Sequence, residues 1–120
     1  MEVISHRGLW YKQKEKNTLQ SFKKSFDNNF GLETDIRDMN KELVICHDLP
    51  DESSMKLTHF FSLYKEYNEP FILALNIKAD GLQNDLYRLI KKYEISNYFF
   101  FDMSVPDTIG YTKLNLKFFT

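Results

Sequence analysis

The segment LETDIRDMNKELVICHDLP, residues 32–50, combines the alternation of a β-strand with closely spaced ionisable groups. Successive strand side chains point to opposite faces, so Glu33 and Asp35 share one face while the other face is mainly apolar. A second β-rich run, ELVICHD, follows a short turn around MNKE and ends on His47 and Asp48. Strands that build a core normally place apolar residues inward. The two runs therefore predict a functional site at this part of the sheet.

On both sides of this segment, β-rich runs alternate with runs that have helical spacing. Apolar residues three or four positions apart predict helices over 17–31, 57–67 and 82–93, and a short helical turn over 105–113. The β-rich runs cover residues 2–6, 32–38, 42–48, 71–78, 98–104 and the beginning of a strand at 116–120. Strands and helices in this order imply parallel βαβ units, in an open sheet or a (β/α) barrel.

The first helix carries signals for both of its ends. Asn17 with Gln20 three residues later resembles a capping box. Gly31 fits a C-terminal cap. These residues predict a helix that begins just after Asn17 and ends just before Gly31.

Composition bounds the class of protein. The chain has 120 residues, of which 42% are hydrophobic and 16% aromatic, enough for one core and one domain over residues 1–120. Sixteen basic and seventeen acidic residues give a net charge of −1 without a basic stripe, so no nucleic-acid partner is predicted.

The N-terminus and the cysteine content bear on location. MEVISHRG lacks the pattern of a signal peptide, and the longest apolar run, YFFFDM, is too short to cross a bilayer. The single cysteine, Cys46, excludes an internal disulfide and suits a reducing compartment. We expect a cytoplasmic protein in which Cys46 is a small buried residue rather than a nucleophile.

Several polar side chains are predicted at the carboxyl ends of strands, the edge where α/β folds bind ligands. They are His6, Glu33, Asp35, His47, Asn76, Lys78 and Asp102. Glu33 and Asp35 would repel each other unless a hard cation such as Mg²⁺ or Ca²⁺ lies between them. The alternative is a solvated strand face whose carboxylates pair with Arg37 or Lys78.

The two histidines suggest proton transfer. His6 and His47 each end a short strand, and imidazole titrates near neutral pH, so one could act as general base and the other as general acid. Asp48 could hold the His47 ring or support the following loop, and we favour loop support. Lys78 could neutralise charge on a phosphoryl oxygen. A cation, two imidazoles and basic groups around one mouth favour an anionic substrate such as a phosphodiester.

Five motifs in this order resemble the glycerophosphodiester phosphodiesterase family, which belongs to a superfamily with phosphatidylinositol phospholipase C-like proteins. They are SHRG at 5–8, NTLQSF at 17–22, LETDIR at 32–37, HD at 47–48 and LNIK at 75–78. The resemblance implies a TIM barrel that hydrolyses glycerophosphodiesters to an alcohol and glycerol phosphate. The chain would then be the first half of a (β/α)₈ barrel, with parallel strands alternating with helices.

The resemblance also implies roles for individual residues. His6 and His47 match the catalytic histidines of the family, and Arg7 and Lys78 match residues that contact phosphate. The carboxylates that bind a divalent cation, Mg²⁺ or Ca²⁺, are matched by Glu33 and Asp35, and the third metal ligand by Asn76. Asn17 matches the family's N-T-L motif, for which we expect a capping role.

Two departures from the family pattern leave alternatives open. Asn76 stands where the family has a glutamate, so weaker metal binding is expected. A (β/α)₈ barrel typically needs at least about 200 residues, so we expect an incomplete barrel, from truncation, pairing with another copy or rearrangement to a smaller sheet, and favour truncation. Self-association through the open barrel edge is one expectation. A non-catalytic binding module and a lyase that forms a cyclic phosphate are the alternative functions.

Overall fold

The computed structural model describes residues 3–119, which form one six-stranded sheet covered by four helices. Four strands run parallel in the order β1-β2-β5-β6, as a (β/α) barrel requires. The strands are β1 (Ile4–His6), β2 (Gly31–Met39), β3 (Glu42–Ile45), β4 (Met55–Lys56), β5 (Leu73–Ile77) and β6 (Tyr98–Phe101). The helices are α1 (Leu19–Asp27), α2 (Leu57–Glu66), α3 (Gln83–Lys92) and α4 (Thr108–Lys113).

The other two strands correct the expectation of purely parallel pairing. β3 runs antiparallel to β2, with Ile36 opposite Ile45, and the two-residue β4 runs antiparallel to β3. The turn between β2 and β3 contains Asn40 and Lys41, both with positive φ, at 52° and 66°. Such a two-residue turn joins antiparallel neighbours, whereas a parallel pair needs a crossover of a dozen or more residues. The strand predicted over 42–48 also ends earlier, at Ile45.

The alternation predicted for the central strands is confirmed, and it separates the core from the site. Alternate residues of β2 and β5 pack against the helices, with Leu32 beside Leu73 and Ile36 beside Ile77 in register. The residues between them, on the opposite face of the same two strands, include the polar side chains of the site. The aromatic rings of α1 and α2 fill the helical layer, which includes Phe22, Phe26, Phe60, Phe61 and Tyr64.

The capping prediction for α1 is wrong by one residue. Thr18 is the N-cap: its Oγ1 accepts a hydrogen bond from the Ser21 backbone N–H, and Ser21 Oγ accepts one from the Thr18 N–H, each at 3.2 Å. This is a capping box in which Ser replaces the usual Glu or Gln. Gly31 is not the C-cap; the helix ends at Asp27 with Asn28 as its C-cap, and Gly31 begins β2. A Cβ at Gly31 would lie 2.4 Å from the Ile72 carbonyl oxygen, so this position needs glycine for close strand approach.

The strand predicted at 116–120 begins as an isolated parallel bridge between Phe118 and Phe100. Thr120, Met1 and Glu2 lie outside the described residues. The predicted partial barrel is confirmed: its parallel strands are those of a (β/α) barrel, extended by the β2–β3 hairpin. Between residues 3 and 119, no helix has the length and apolar character needed to span a bilayer.

Candidate functional site

The site is built around a gap along one edge of β2. β1 pairs with Gly31 to Glu33 at the beginning of this edge, and β3 pairs with Ile36 to Met39 at its end. Because β1 and β3 run in opposite directions, the segments that follow them both lead into the gap between. The Arg7 N–H donates to the Glu33 carbonyl at 2.7 Å, and the Cys46 N–H donates to the Asp35 carbonyl at 3.1 Å. The antiparallel hairpin therefore brings His6 and His47, 41 positions apart in the sequence, to one region.

Asn17 occupies this gap and contacts side chains from both faces of β2. Its Nδ2 donates to Asp35 Oδ2 at 3.0 Å, and its Oδ1 accepts a hydrogen bond from Thr34 Oγ1 at 2.7 Å. Its backbone N–H donates to the Arg7 carbonyl at 2.9 Å. Asn17 has a φ of 56°, a left-handed conformation that asparagine tolerates better than most residues. The capping role expected for Asn17 is wrong, because its side chain orients Asp35.

Arg7 is the counter-ion of the buried Asp35 carboxylate. Asp35 is 0% exposed, and Arg7 Nε lies 3.0 Å from its Oδ2. Arg7 has a φ of 57°, and Gly8 follows with a φ of 87°. A Cβ at Gly8 would lie 2.3 Å from Ser21 Oγ, so the turn that directs Arg7 inward requires glycine in this position. The alternative prediction, that Glu33 and Asp35 pair with Arg37 or Lys78, is wrong: Asp35 pairs with Arg7, and Glu33 lies beside His6.

Glu33 lies on the same face of β2, between several charged groups. Burial and the neighbouring Asp35 charge raise the pKa of the Glu33 carboxyl, while His6, Arg7 and a hydrogen bond with the Asn76 side chain oppose the rise. Asn76 lies on β5 in register with Asp35. Since burial is the largest effect and favours the neutral acid, the polypeptide alone leaves the Glu33 charge incompletely compensated.

Three buried oxygen atoms of this site have no hydrogen-bond partner. They are Glu33 Oε1, Asp35 Oδ1 and Asn76 Oδ1. Buried polar atoms are satisfied in the great majority of cases, so three orphans on neighbouring strand positions are unusual. Carboxylate and amide oxygens are ligands that Mg²⁺ and Ca²⁺ prefer. The donor set thus fits a hard divalent cation.

One of these three oxygens belongs to an uncharged amide, that of Asn76. The described part of the chain has no group of three or more His, Cys, Asp or Glu side chains arranged to hold a metal ion. Two carboxylates and one neutral amide supply less negative charge than three carboxylates. Cation affinity rises with the number of charged ligands, so this donor set would hold a divalent cation more weakly than three carboxylates.

The two histidines are both accessible to solvent and have different partners. The side chains of His6 and His47 are 59% and 42% exposed. His6 Nε2 lies 3.9 Å from Glu33 Oε1. His47 Nδ1 lies 3.0 Å from Asp48 Oδ1, so Asp48 holds the His47 ring, and the loop role favoured for it is wrong. Asp51 supports the loop instead, because its Oδ1 accepts hydrogen bonds from the Ser53 backbone and hydroxyl.

Lys78 lies at the carboxyl end of β5, and its ion-pair partner differs from the one predicted. Its Nζ lies 3.5 Å from Asp102 Oδ2, at the end of β6, rather than beside Glu33 or Asp35. Asp102 has a φ of 71°, which turns the chain out of the strand. The predicted grouping of Lys78 and Asp102 at the carboxyl ends of neighbouring strands is therefore observed. Glu33 and Asp35 lie within β2 instead, because this strand continues past the sheet edge into its hairpin.

Arg37 is a site residue whose contacts were not predicted from the sequence. Its Nε and Nη2 donate to the His47 carbonyl at 3.1 and 2.8 Å, and its Nη1 donates to the Lys78 carbonyl at 3.3 Å. The E-x-D-x-R spacing places Arg37 on the face of Glu33 and Asp35, and this was the available signal. The spacing could not reveal the acceptors, which lie 10 and 41 positions away.

A cavity of about 680 Å³ opens beside His47 and Arg7. The segments before α1 and after β3 form its walls, with Lys16, Asn17 and Cys46 among the lining residues. Cys46 is only half-buried, contrary to prediction, and its thiol donates to the Leu49 carbonyl at 3.6 Å. The cavity has the volume of a small-molecule site.

Comparisons with known proteins identify the fold. No family model matches the chain, and no curated protein matches it. Among solved structures it is similar to a candidate glycerophosphodiester phosphodiesterase from Galdieria sulphuraria, with a TM-score of 0.84 and 19% identity. It is also similar to a glycerophosphodiester phosphodiesterase from Agrobacterium tumefaciens str. C58, with a TM-score of 0.74 and 12% identity.

Coverage is unequal in these two comparisons. Each match includes 98% of this chain, but only 63% and 64% of the two solved chains. The chain thus has the fold of a large part of these proteins and spans less than two thirds of their length. The fold implied by the sequence resemblance is confirmed.

Proposed function

We propose that this chain is a metal-dependent phosphodiester hydrolase that acts on glycerophosphodiesters. The three unpartnered buried oxygens of Glu33, Asp35 and Asn76 carry the proposal, because they are ligands of the kind that a hard cation prefers. The accessible His6 and His47 side chains support it. The ordered motifs of the sequence and the fold shared with two phosphodiesterase structures support the choice of substrate. The proposed cation is Mg²⁺ or Ca²⁺, and when bound it would polarise a phosphoryl oxygen as a Lewis acid.

The histidines are proposed to move the protons of the reaction. An ionised Asp48 carboxylate can only accept at its 3.0 Å contact with His47 Nδ1, so a neutral His47 ring in this contact has its proton on Nδ1 and the lone pair of Nε2 available to take a proton. In hydrolysis, a P–O bond to water forms while the P–O bond to the alcohol breaks. One imidazole takes the proton of the water, and the other gives a proton to the departing alkoxide. His6 and His47 share these two roles.

Basic side chains are proposed to bind the phosphate. Arg7 reaches the mouth through its ion pair with Asp35, and its guanidinium has five N–H groups, more than this one contact uses. Lys78 lies across the mouth with its side chain 21% exposed. Their positive charges would stabilise the charge that develops on the phosphoryl oxygens. The cavity beside His47 provides room for one of the two alcohol arms of the substrate.

The experiment is turnover of glycerophosphocholine by the purified chain, followed by ³¹P NMR with Mg²⁺, with Ca²⁺ and with EDTA. We expect turnover that EDTA abolishes. His6→Ala and His47→Ala should each reduce kcat by about 10²–10⁴-fold, the usual contribution of a general acid or base. His59→Ala is the matched control, because His59 is exposed on α2, outside the site.

The products separate the remaining alternatives. Accumulation of a cyclic phosphate would identify the substrate's own glycerol hydroxyl as the nucleophile, as in a lyase. A folded chain that binds the cation by calorimetry and turns over no phosphodiester would be a binding module. Full activity of both histidine variants in EDTA would contradict the proposed mechanism.

A further inference from the structure

Arg37 joins two parts of the site that no other side chain connects among the described residues. Its guanidinium donates to the carbonyl of His47, which follows β3, and to the carbonyl of Lys78, which follows β5. β3 lies on one side of β2 and β5 on the other. The three hydrogen bonds therefore cross the mouth above β2, between a proposed proton-transfer residue and a proposed phosphate-binding residue.

The acceptors are backbone atoms, so the effect of Arg37 is on the position of whole residues. The segment from Cys46 to Ser54 contains no regular strand or helix. Just after β3, the Cys46 backbone N–H donates to the Asp35 carbonyl. The carbonyl of the next residue, His47, accepts from Arg37. A planar guanidinium fixes the direction of its donors, which an ammonium group does not.

We infer that Arg37 is a positioning residue that holds the backbone of His47 and Lys78 at a fixed separation across the site. We call the three hydrogen bonds of Arg37 to the His47 and Lys78 carbonyls the clamp. The clamp is a property of the fold, whereas its effect on catalysis rests on the proposed function. Arg37 contacts neither of the two reacting imidazole rings among the hydrogen bonds observed. It acts through the main chain, on the geometry that proton transfer and phosphate binding require.

The first test is amide hydrogen exchange of the metal-free protein, which does not depend on activity. In Arg37→Met, which keeps the apolar stem, residues 46–54 should exchange about tenfold faster, because the segment loses the hydrogen bonds that hold its first turn. Arg37→Lys should show the same increase, since one ammonium cannot span both carbonyls. Arg88→Met is the matched control: Arg88 is an exposed α3 residue that pairs with Asp85 at 3.5 Å, outside the site.

The second test is steady-state kinetics with calorimetric titration of the cation. Loss of a residue that orients the groups of a site typically lowers activity by about 10–100-fold, and we expect kcat to fall by this factor in both Arg37 variants. Cation affinity should stay at the wild-type value, because Arg37 contacts none of the three oxygens. Wild-type kcat in Arg37→Lys would show that charge alone matters and would overturn the clamp.

The two proposals fail in different ways. If the wild-type chain turns over no phosphodiester but residues 46–54 are released in both Arg37 variants, the clamp stands and the proposed function fails. If exchange of residues 46–54 in Arg37→Met equals that in Arg88→Met, the clamp is wrong, whatever the activity of the protein.

Discussion

At the scale of single residues, Asn76 is the uncharged member of the proposed cation site. Its carbonyl oxygen lies with two carboxylates that carry all the negative charge of the donor set. Replacing it with a third carboxylate adds a charged ligand, and calcium and magnesium sites are tuned by this count. The same replacement adds repulsion next to Glu33, whose carboxyl already has a raised pKa from burial and from Asp35. A carboxylate at position 76 should therefore raise the affinity for the cation and lower the stability of the metal-free protein.

We predict that Asn76→Glu binds Mg²⁺ or Ca²⁺ at least about tenfold more tightly, the equivalent of one charge-assisted ligand. Without metal the variant should unfold at a lower temperature than wild type, because an uncompensated buried charge destabilises the fold. Calorimetric titration and thermal unfolding with EDTA are the measurements. Asn84→Glu, at an exposed position of α3, is the control and should change neither.

The pH dependence of the metal-free chain has a defined sign. A carboxyl whose pKa is higher in the folded protein favours folding when protonated, and this contribution is lost as pH rises from the unfolded value of 4.5 through the raised folded value. Asn76→Glu in EDTA should therefore recover stability relative to wild type as pH falls toward 4.5. An unchanged stability difference across this range would contradict the charge repulsion on which the prediction depends.

At the scale of elements, α2 joins the site-bearing sheet to α1 through aromatic packing. Phe60 is 0% exposed, and its ring centroid lies 4.9 Å from that of Phe22 on α1 and 5.9 Å from that of Phe61. Aromatic rings at these separations contribute beyond the area that they bury. The sheet face behind the site is therefore held by side chains that take no part in its chemistry.

We predict that Phe60→Ala lowers the free energy of unfolding by about 3–5 kcal/mol, the usual cost of truncating a buried aromatic residue. Urea unfolding measures this, provided that the transition is two-state. Tyr11→Ala, at an exposed position before α1, should change stability by less than about 0.5 kcal/mol. Equal effects of the two variants would mean that the α1–α2 interface is not a principal source of stability.

At the scale of the whole molecule, the outer edge of β6 is the least complete part of the described fold. Beyond β6 the sheet continues only as the bridge at Phe118. Phe99, Phe101 and Phe119 line a surface cavity of about 410 Å³ at this edge, and Phe119 is 63% exposed. Unpaired strand edges and exposed apolar groups favour association with another chain.

We predict that the chain self-associates through this edge as its concentration rises. Phe119→Glu should raise the dissociation constant at least about tenfold, as expected for the loss of a central aromatic contact. Light scattering over a concentration series measures the association. Leu49→Glu is the matched control, because it places the same charge at an exposed apolar residue far from β6 in the sheet order. A monomer at every concentration would contradict the prediction.

The sequence by itself determined the faces and the order of the elements. Period-two alternation placed Glu33 and Asp35 on one face of β2, and helical spacing located α1, α2 and α3, because these signals depend on local geometry alone. The alternation of strands with helices indicated parallel βαβ units in an open sheet or a barrel, and the family resemblance with the chain length implied the partial barrel. Residue type was enough to identify two carboxylates, two imidazoles and an amide as candidate site groups.

Only the tertiary structure decided which groups meet. The β2–β3 hairpin leaves a gap beside Asp35, and this gap is filled from two distant segments that supply Asn17 and Arg7 as partners. The left-handed turn at Arg7 and the acceptors of Arg37 depend in the same way on long-range packing. Spacing along a chain fixes the direction of a side chain, but its partner depends on how separate segments pack. The alternation was therefore predictable from the sequence, whereas the ion pair and the clamp were not.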